Sequence, residues 1–252
     1  KTYLQHISTY KPKTVKRKLA SLKALFNYYD FEHDDFLNPF RKLRIRFKEP
    51  YVLPTVMTCN EVKEILKYLY KLRADNPDTG GYAYKAQTRD IAVVELLFAT
   101  GIRVSELCEL SCDAVDLKQA TIKVFGKGSK ERVIQICSVE VLKILRQYQR
   151  LFAPSKCFFI NRLGNRLSSQ SVRLLIKRCR EEIGIGKKIT PHTFRHTFAT
   201  LLLEEDVDIK YIQNLLGHSS ITTTQIYTHV NMNKQKKILS SKHPRKKMEM
   251  EE

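Results

Sequence analysis

The chain is 252 residues long, enough to bury a sizeable core in one large domain or two unequal ones. Its 45 lysines and arginines against 26 acids leave a net charge of +19, which points to a polyanionic partner, nucleic acid ahead of an anionic membrane surface. No apolar run approaches the ~20 residues that span a bilayer and no signal peptide opens the chain, so no membrane partner and a soluble, cytoplasmic protein are expected. Six cysteines (Cys59, Cys108, Cys112, Cys137, Cys157, Cys179) are scattered, mostly within periodic apolar segments. They read as buried free thiols in a reducing compartment, not as a disulfide framework or a metal site. The chain starts at Lys1, without methionine, inside what reads as structured sequence, as a fragment would.

Residues 1–49 form a first unit with twelve basic and five acidic residues, a charge of +7 that leaves +12 for the rest. Val15, Leu19, Leu22, Phe26 and Tyr29 recur at helical spacing. Lys13, Lys16, Arg17 and Lys23 flank that stripe with no acid between Lys11 and Tyr29. A solvated basic face would look the same, but the charge carried by both units favours contact with phosphates, to which Arg44, Arg46, Lys130 and Arg132 are added as candidates. Pro50 and Pro54 bias their neighbours to extended backbone, placing a linker at residues 50–57.

A second unit opens at Thr58, where T-C-N-E reads as a capping box closed by Glu61. Val62, Ile65, Leu66 and Leu69 make the helical stripe that follows. Residues 74–85 (ADNPDTGGYAYK) carry Pro and paired glycines without periodicity and read as a surface loop ending near Gln87. An apolar helix closed by Gly101 comes next, then a shorter one carrying Arg103 and Glu106, spaced so that the acid can orient the guanidinium, although an ordinary ion pair has the same spacing. From Ala120 to Ile136 two alternating β-branched runs flank GKGSKE, a hairpin whose tip holds Lys127. Beyond it are expected an amphipathic helix at Val139–Phe152, a short strand at Cys157–Ile160 and a helix at Ser168–Ile183.

Residues 190–230 carry the densest chemistry. Thr190 caps a helix beginning at Pro191. Phe194, Phe198, Leu201 and Leu202 lie on its packing side, and His192, Arg195, His196 and Ala199 on a polar one. A second helix, Asp208–Leu216, is stopped by Gly217 in the left-handed region. His218 sits just past its end, and Tyr227 follows nine residues on. Taken singly, each His reads as a satisfied polar group and Tyr227 as a half-buried core residue. His192 and His196 have the spacing of zinc ligands but lack the Glu of H-E-x-x-H and a third ligand, so no metal is expected.

Together, TGIRVSEL, GKGSKER, HTFRHTFAT, LLGHSS and Tyr227 resemble, in order and spacing, the catalytic domain of the tyrosine recombinases, the phage-integrase-like and Xer-like superfamily. The likeness covers residues 58–230; residues 1–49 resemble the C-terminal part of the family's helical core-binding domain, and 231–252 form a basic tail. It implies a mainly α fold with a small antiparallel β-sheet (α+β). It also implies a site-specific DNA recombinase or integrase that cuts and rejoins strands through a 3′-phosphotyrosyl link and a Holliday junction, for mobile-element integration or chromosome resolution, without metal, ATP or cofactor. By the same resemblance Tyr227 is the nucleophile, Arg103 and Arg195 clamp the phosphate, and Lys127 protonates the departing oxygen. His192 would be the acid–base histidine and His218 a phosphate donor, while Glu106 braces Arg103 and His196 supports the site or plays a structural part. The implied partners are a double-stranded DNA recombination site, three further copies in a homotetramer, and accessory DNA-bending proteins, all in the prokaryotic nucleoid; for the C-terminal tail, docking on a neighbour, DNA contact and plain disorder all stay open. Departures are the short first unit, the long 74–85 loop and Phe194 where the family often has Leu. A DNA-binding relative that does not cut, and a type IB topoisomerase-like relaxing enzyme, are the alternatives.

Overall fold

In this computed structural model, residues 2–7, 9–41, 54–125 and 131–217 are described. The expectations for Arg44, Arg46, Lys127, Lys130, His218, Tyr227 and the basic tail lie outside them. The chain divides into two compact units, Lys1–Leu53 and Pro54–Glu252. Among the described residues, no helix is long and apolar enough to cross a membrane, and no group of three or more His, Cys, Asp or Glu could hold a metal ion.

In the first unit, α1 (Thr2–Ile7) and α2 (Pro12–Glu32) bury Ile7, Val15 and Leu19, with Phe40 against them. The apolar stripe weakens along α2, and Tyr29 at its far end is 45% exposed. Asn38 staples the following turn to the helix, donating from Nδ2 to Asn27 Oδ1 at 3.0 Å and accepting from the Phe40 N–H at 2.9 Å. Lys13, Lys16, Arg17 and Lys23 share one exposed face of α2.

The second unit begins earlier than the expected linker allows. Met57 is buried, its N–H donates to Thr197 Oγ1 at 2.8 Å, and the Val56 carbonyl accepts from Lys187 Nζ, so residues 54–57 belong to this unit. The Thr58–Glu61 capping box forms and starts α3 (Cys59–Ala74). Asp78 Oδ1 accepts from the Gly80 and Gly81 N–H groups and closes a turn from which α4 (Tyr82–Thr100) rises. The last four residues of the expected 74–85 loop are therefore helix. Tertiary partners override the weak local signal there: the Tyr84 hydroxyl accepts from Gln147, and Gln87 accepts from Asn76.

Helix α4 is the axis of the unit, packed by α3, α6 (Val139–Phe152) and α8 (Pro191–Glu204). Helix α5 (Val104–Glu109) leads to a three-stranded antiparallel sheet of β1 (Val115–Asp116), β2 (Thr121–Phe125) and β3 (Glu131–Gln135), in that order. Pairing of Ile122 with Ile134 and of Val124 with Arg132 sets the inward row of the hairpin. The expected strand at Cys157–Ile160 is reduced to two isolated bridges, because the buried Tyr148 hydroxyl donates to the Phe158 carbonyl and accepts from the Ile160 N–H. Helices α7 (Ser169–Glu182), α8 and α9 (Ile209–Leu216) complete the unit. All six cysteines are free, but only Cys108 and Cys179 are buried, and Cys59 and Cys137 are exposed.

Gly101 ends α4 with φ 59°. A Cβ there would sit 2.6 Å from Phe198 Cδ1 and 2.8 Å from Leu216 Cδ2. Gly101→Ala therefore combines left-handed strain with a clash inside the α4–α8–α9 junction, and is expected to cost about 2–4 kcal/mol in thermal or denaturant unfolding. An unchanged stability would show that the junction yields freely.

Candidate active site

Several chain reversals bring distant guanidinium groups to one place, the C-terminal end of α9. Three successive carbonyls of its last turn point out of the helix without intrahelical partners. Arg132 Nε donates to the Leu215 carbonyl at 3.2 Å, Arg195 Nη2 to Leu216 at 2.6 Å and Arg103 Nη2 to Gly217 at 3.0 Å. The negative pole of the helix favours cations there. Gly217, at φ 65°, leaves room for them: a Cβ on it would meet Arg132 Nη1 at 2.9 Å.

Arg195 comes from the second turn of α8, whose start is fixed by the Thr190–Thr193 capping box and Pro191. Its other fork arm donates to the Gly101 carbonyl at 2.8 Å, so the ends of α4 and α9 are tied through one side chain that is 4% exposed. The polar side expected on α8 is only partly open to solvent. Of that side, Arg195 and Ala199 are buried by the residues they bond or touch, whereas His196 is half-buried and His192 is exposed. Ala199 packs on Ile212 and Leu216 of α9.

Arg103 is the N-cap of α5, and Glu106, in its first turn, accepts from both the Arg103 N–H (3.0 Å) and Nη1 (2.7 Å). The expected brace is thus present. Arg132, expected at a phosphate, is turned inward instead. Its Nη1 and Nη2 donate to the two Glu106 oxygens at 3.1 and 2.7 Å, and its side chain is 13% exposed. The reason lies in strand alternation: Arg132 shares a phase with Ile134 and Ile136, a signal already present in the sequence. Burial opposes the Glu106 carboxylate, but hydrogen bonds from Arg132 and Arg103 outweigh it and hold the carboxyl below the usual range.

His192 lies in the first turn of α8. Burial and then the charges of Arg195, Arg173 and Arg103 lower its pKa and favour the neutral imidazole. His196 is lowered by burial, then by His192 and Arg195. Arg173 of α7 was not anticipated; nothing in the sequence distinguishes it from Lys177, Arg178 and Arg180 on the same helix. Because both histidines bind protons more readily unfolded than folded, their contribution to stability is complete above their unfolded value and is lost as pH falls below it. Melting temperature is expected to drop on acidification from pH 7 through about 6.5 and below, and less so in a His192→Gln/His196→Gln variant, as followed by circular dichroism.

Three guanidinium groups, that of Arg195 buried and those of Arg103 and Arg132 partly so, converge at one helix end on a helical unit with a small β-hairpin sheet, an arrangement suited to holding the oxygens of a phosphoryl group. The model of the phage integrase family matches residues 55–234. A tyrosine recombinase of Agathobacter rectalis is 50% identical over 241 residues, covering 94% of this chain and 78% of that protein. Tyrosine recombinase XerC of Thermodesulfovibrio yellowstonii is 38% identical, over 92% and 76% of the two chains. Among solved structures, XerH bound to a palindromic difH substrate in a post-cleavage complex shares the fold, with a TM-score of 0.77 at 22% identity over 93% of this chain and 69% of that one. The chain belongs to the phage integrase family, the tyrosine recombinases.

Proposed function

We propose that this chain performs site-specific recombination on double-stranded DNA, cutting and rejoining strands through a covalent phosphotyrosyl intermediate. In this reading residues 58–230 are the catalytic domain, residues 1–49 belong to a DNA-binding core-binding domain, and 231–252 form a basic tail. One observation carries the proposal: Arg103 and Arg195, 92 residues apart in sequence, are fixed on adjacent carbonyls at the end of α9, immediately before His218 and ten residues before Tyr227.

Cutting a phosphodiester needs a nucleophile, a proton donor for the leaving oxygen and fixed positive charge around the phosphoryl oxygens. Tyr227 attacks phosphorus; its oxygen forms the new bond as the 5′-oxygen leaves with a proton from Lys127. Arg103 and Arg195 hold the non-bridging oxygens, and His218 adds a hydrogen bond. His192, neutral among guanidinium groups, takes the phenolic proton. Attack of a 5′-hydroxyl from another strand on the phosphotyrosine reverses the step and joins new partners through a four-way junction. Four subunits on two duplexes, with the tail docked on a neighbour and accessory bending proteins where the site requires them, complete the assembly in a prokaryotic nucleoid.

Lys13, Lys16, Arg17 and Lys23 serve as phosphate contacts of the first unit, joined by Arg44, Arg46 and Lys130. Helix α2 has no acid in its first turn and three cations in its first six residues, an arrangement its own dipole disfavours and a nearby phosphate row offsets.

The test is incubation with a nicked duplex that carries the cognate site, with a chelator present throughout. A covalent protein–DNA species that resists denaturation, and whose DNA-bearing peptide maps to Tyr227, is the expected result. Absence of the species, or its attachment elsewhere, overturns the proposal.

A further inference from the structure

Arg132 has a geometry that a phosphate contact would not need. Its three donor nitrogens are all occupied inside the protein, two by the separate oxygens of Glu106 and one by the Leu215 carbonyl. Glu106 is buried, and its other polar partner is Arg103. We infer that Arg132 is a positioning residue for cleavage: by sharing the Glu106 carboxylate with Arg103 while gripping α9, it fixes the guanidinium of Arg103 and keeps it available to a substrate phosphate.

Charge explains why a second arginine is needed. A carboxylate facing Arg103 alone would cancel its charge. With Arg132 on the same carboxylate the trio keeps a net charge of +1, and Glu106 divides its hydrogen bonds between two donors. Geometry adds a second effect. Arg103 and Arg132 hold carbonyls two residues apart on the last turn of α9, so β3, α5 and α9 are locked to one another through a single acid. Lysine cannot substitute, because one ammonium cannot meet both carboxylate oxygens and the Leu215 carbonyl in that plane.

The inference rests on the assignment of Arg103 to the phosphate clamp, and the experiment separates the two. Single-turnover formation of the covalent species on a nicked site is compared for wild type, Arg132→Lys, Arg132→Met and Glu106→Gln/Arg132→Met at saturating DNA, with duplex affinity measured alongside. If wild type forms no adduct on Tyr227, the clamp assignment itself fails. Given a wild-type adduct, Arg132→Met is expected to lower the cleavage rate about a hundredfold, the effect of misplacing a reacting group by around 1 Å, with affinity changed less than about threefold. Arg132→Lys, which keeps the charge, is expected to recover at most a small part. In the double variant the rate should be no lower than in Arg132→Met, because both changes act through one contact. A wild-type rate in Arg132→Lys, or a loss confined to affinity, assigns Arg132 to DNA and overturns the inference. If Arg132→Met fails to fold, Arg132→Lys decides: a folded protein with slow cleavage and intact binding supports it, and a fast one sinks it.

Discussion

Tyr227→Phe is expected to abolish the covalent species entirely while leaving duplex affinity within about threefold of wild type. The substitution removes one oxygen and keeps the ring, so the charge of the chain at neutral pH is unchanged. What is lost is the atom that must bond to phosphorus, and no arrangement of positive charge replaces a missing nucleophile. If duplex binding draws on the lysines and arginines of both units, as proposed, it is insensitive to that oxygen. Electrophoresis under denaturing conditions reads the first effect and a mobility shift the second. A Tyr227→Phe protein that still linked to DNA would move the nucleophile elsewhere in the chain.

Arg195→Lys is expected to fail in two separable ways. The guanidinium spans the carbonyls of Gly101 and Leu216 at 2.8 and 2.6 Å, which belong to the ends of different helices. An ammonium reaches one of them, leaving the other buried and without its partner, a loss of about 1–3 kcal/mol that should appear as a lower melting temperature. Cleavage should fall by about 10²–10³, the usual consequence of removing one preorganised donor from a developing anionic centre. Lowering the temperature restores folding but not the rate, so comparing adduct formation in the cold and near the melting transition separates the two losses. If the rate returned with the fold, Arg195 would hold α9 in place and do nothing to phosphate.

Much of this arrangement was legible in the chain because local chemistry and tertiary structure agree. The Val139–Phe152 helix has the expected bounds, the Thr58 capping box and the Thr190 cap form, and Gly101 and Gly217 adopt the left-handed conformation their positions required. Arg103 and Glu106 pair as their spacing suggested. Where expectation failed, a long-range partner decided the outcome. Tyr84 is drawn into α4 by Gln147, which no window around it contains. Arg195, on the polar side of α8, is buried because the Gly101 and Leu216 carbonyls reach it from more distant parts of the chain. Arg132 was misread for a different reason: its basic character was weighed and its strand phase was not, although alternation with Ile134 pointed it inward.

The clasp on α9 also bears on which molecule Tyr227 serves. With Leu215, Leu216 and Gly217 each pinned, the segment that follows starts from a fixed origin, like a leash tied to a post. Ten residues separate Gly217 from Tyr227, and a fully drawn-out stretch of that contour spans roughly 33–36 Å. That contour is longer than a return to the subunit's own arginines requires, since those are pinned at Leu215, Leu216 and Gly217 where the segment begins. The backbone turn at Gly217, φ 65° and ψ 49°, is the last joint of that post.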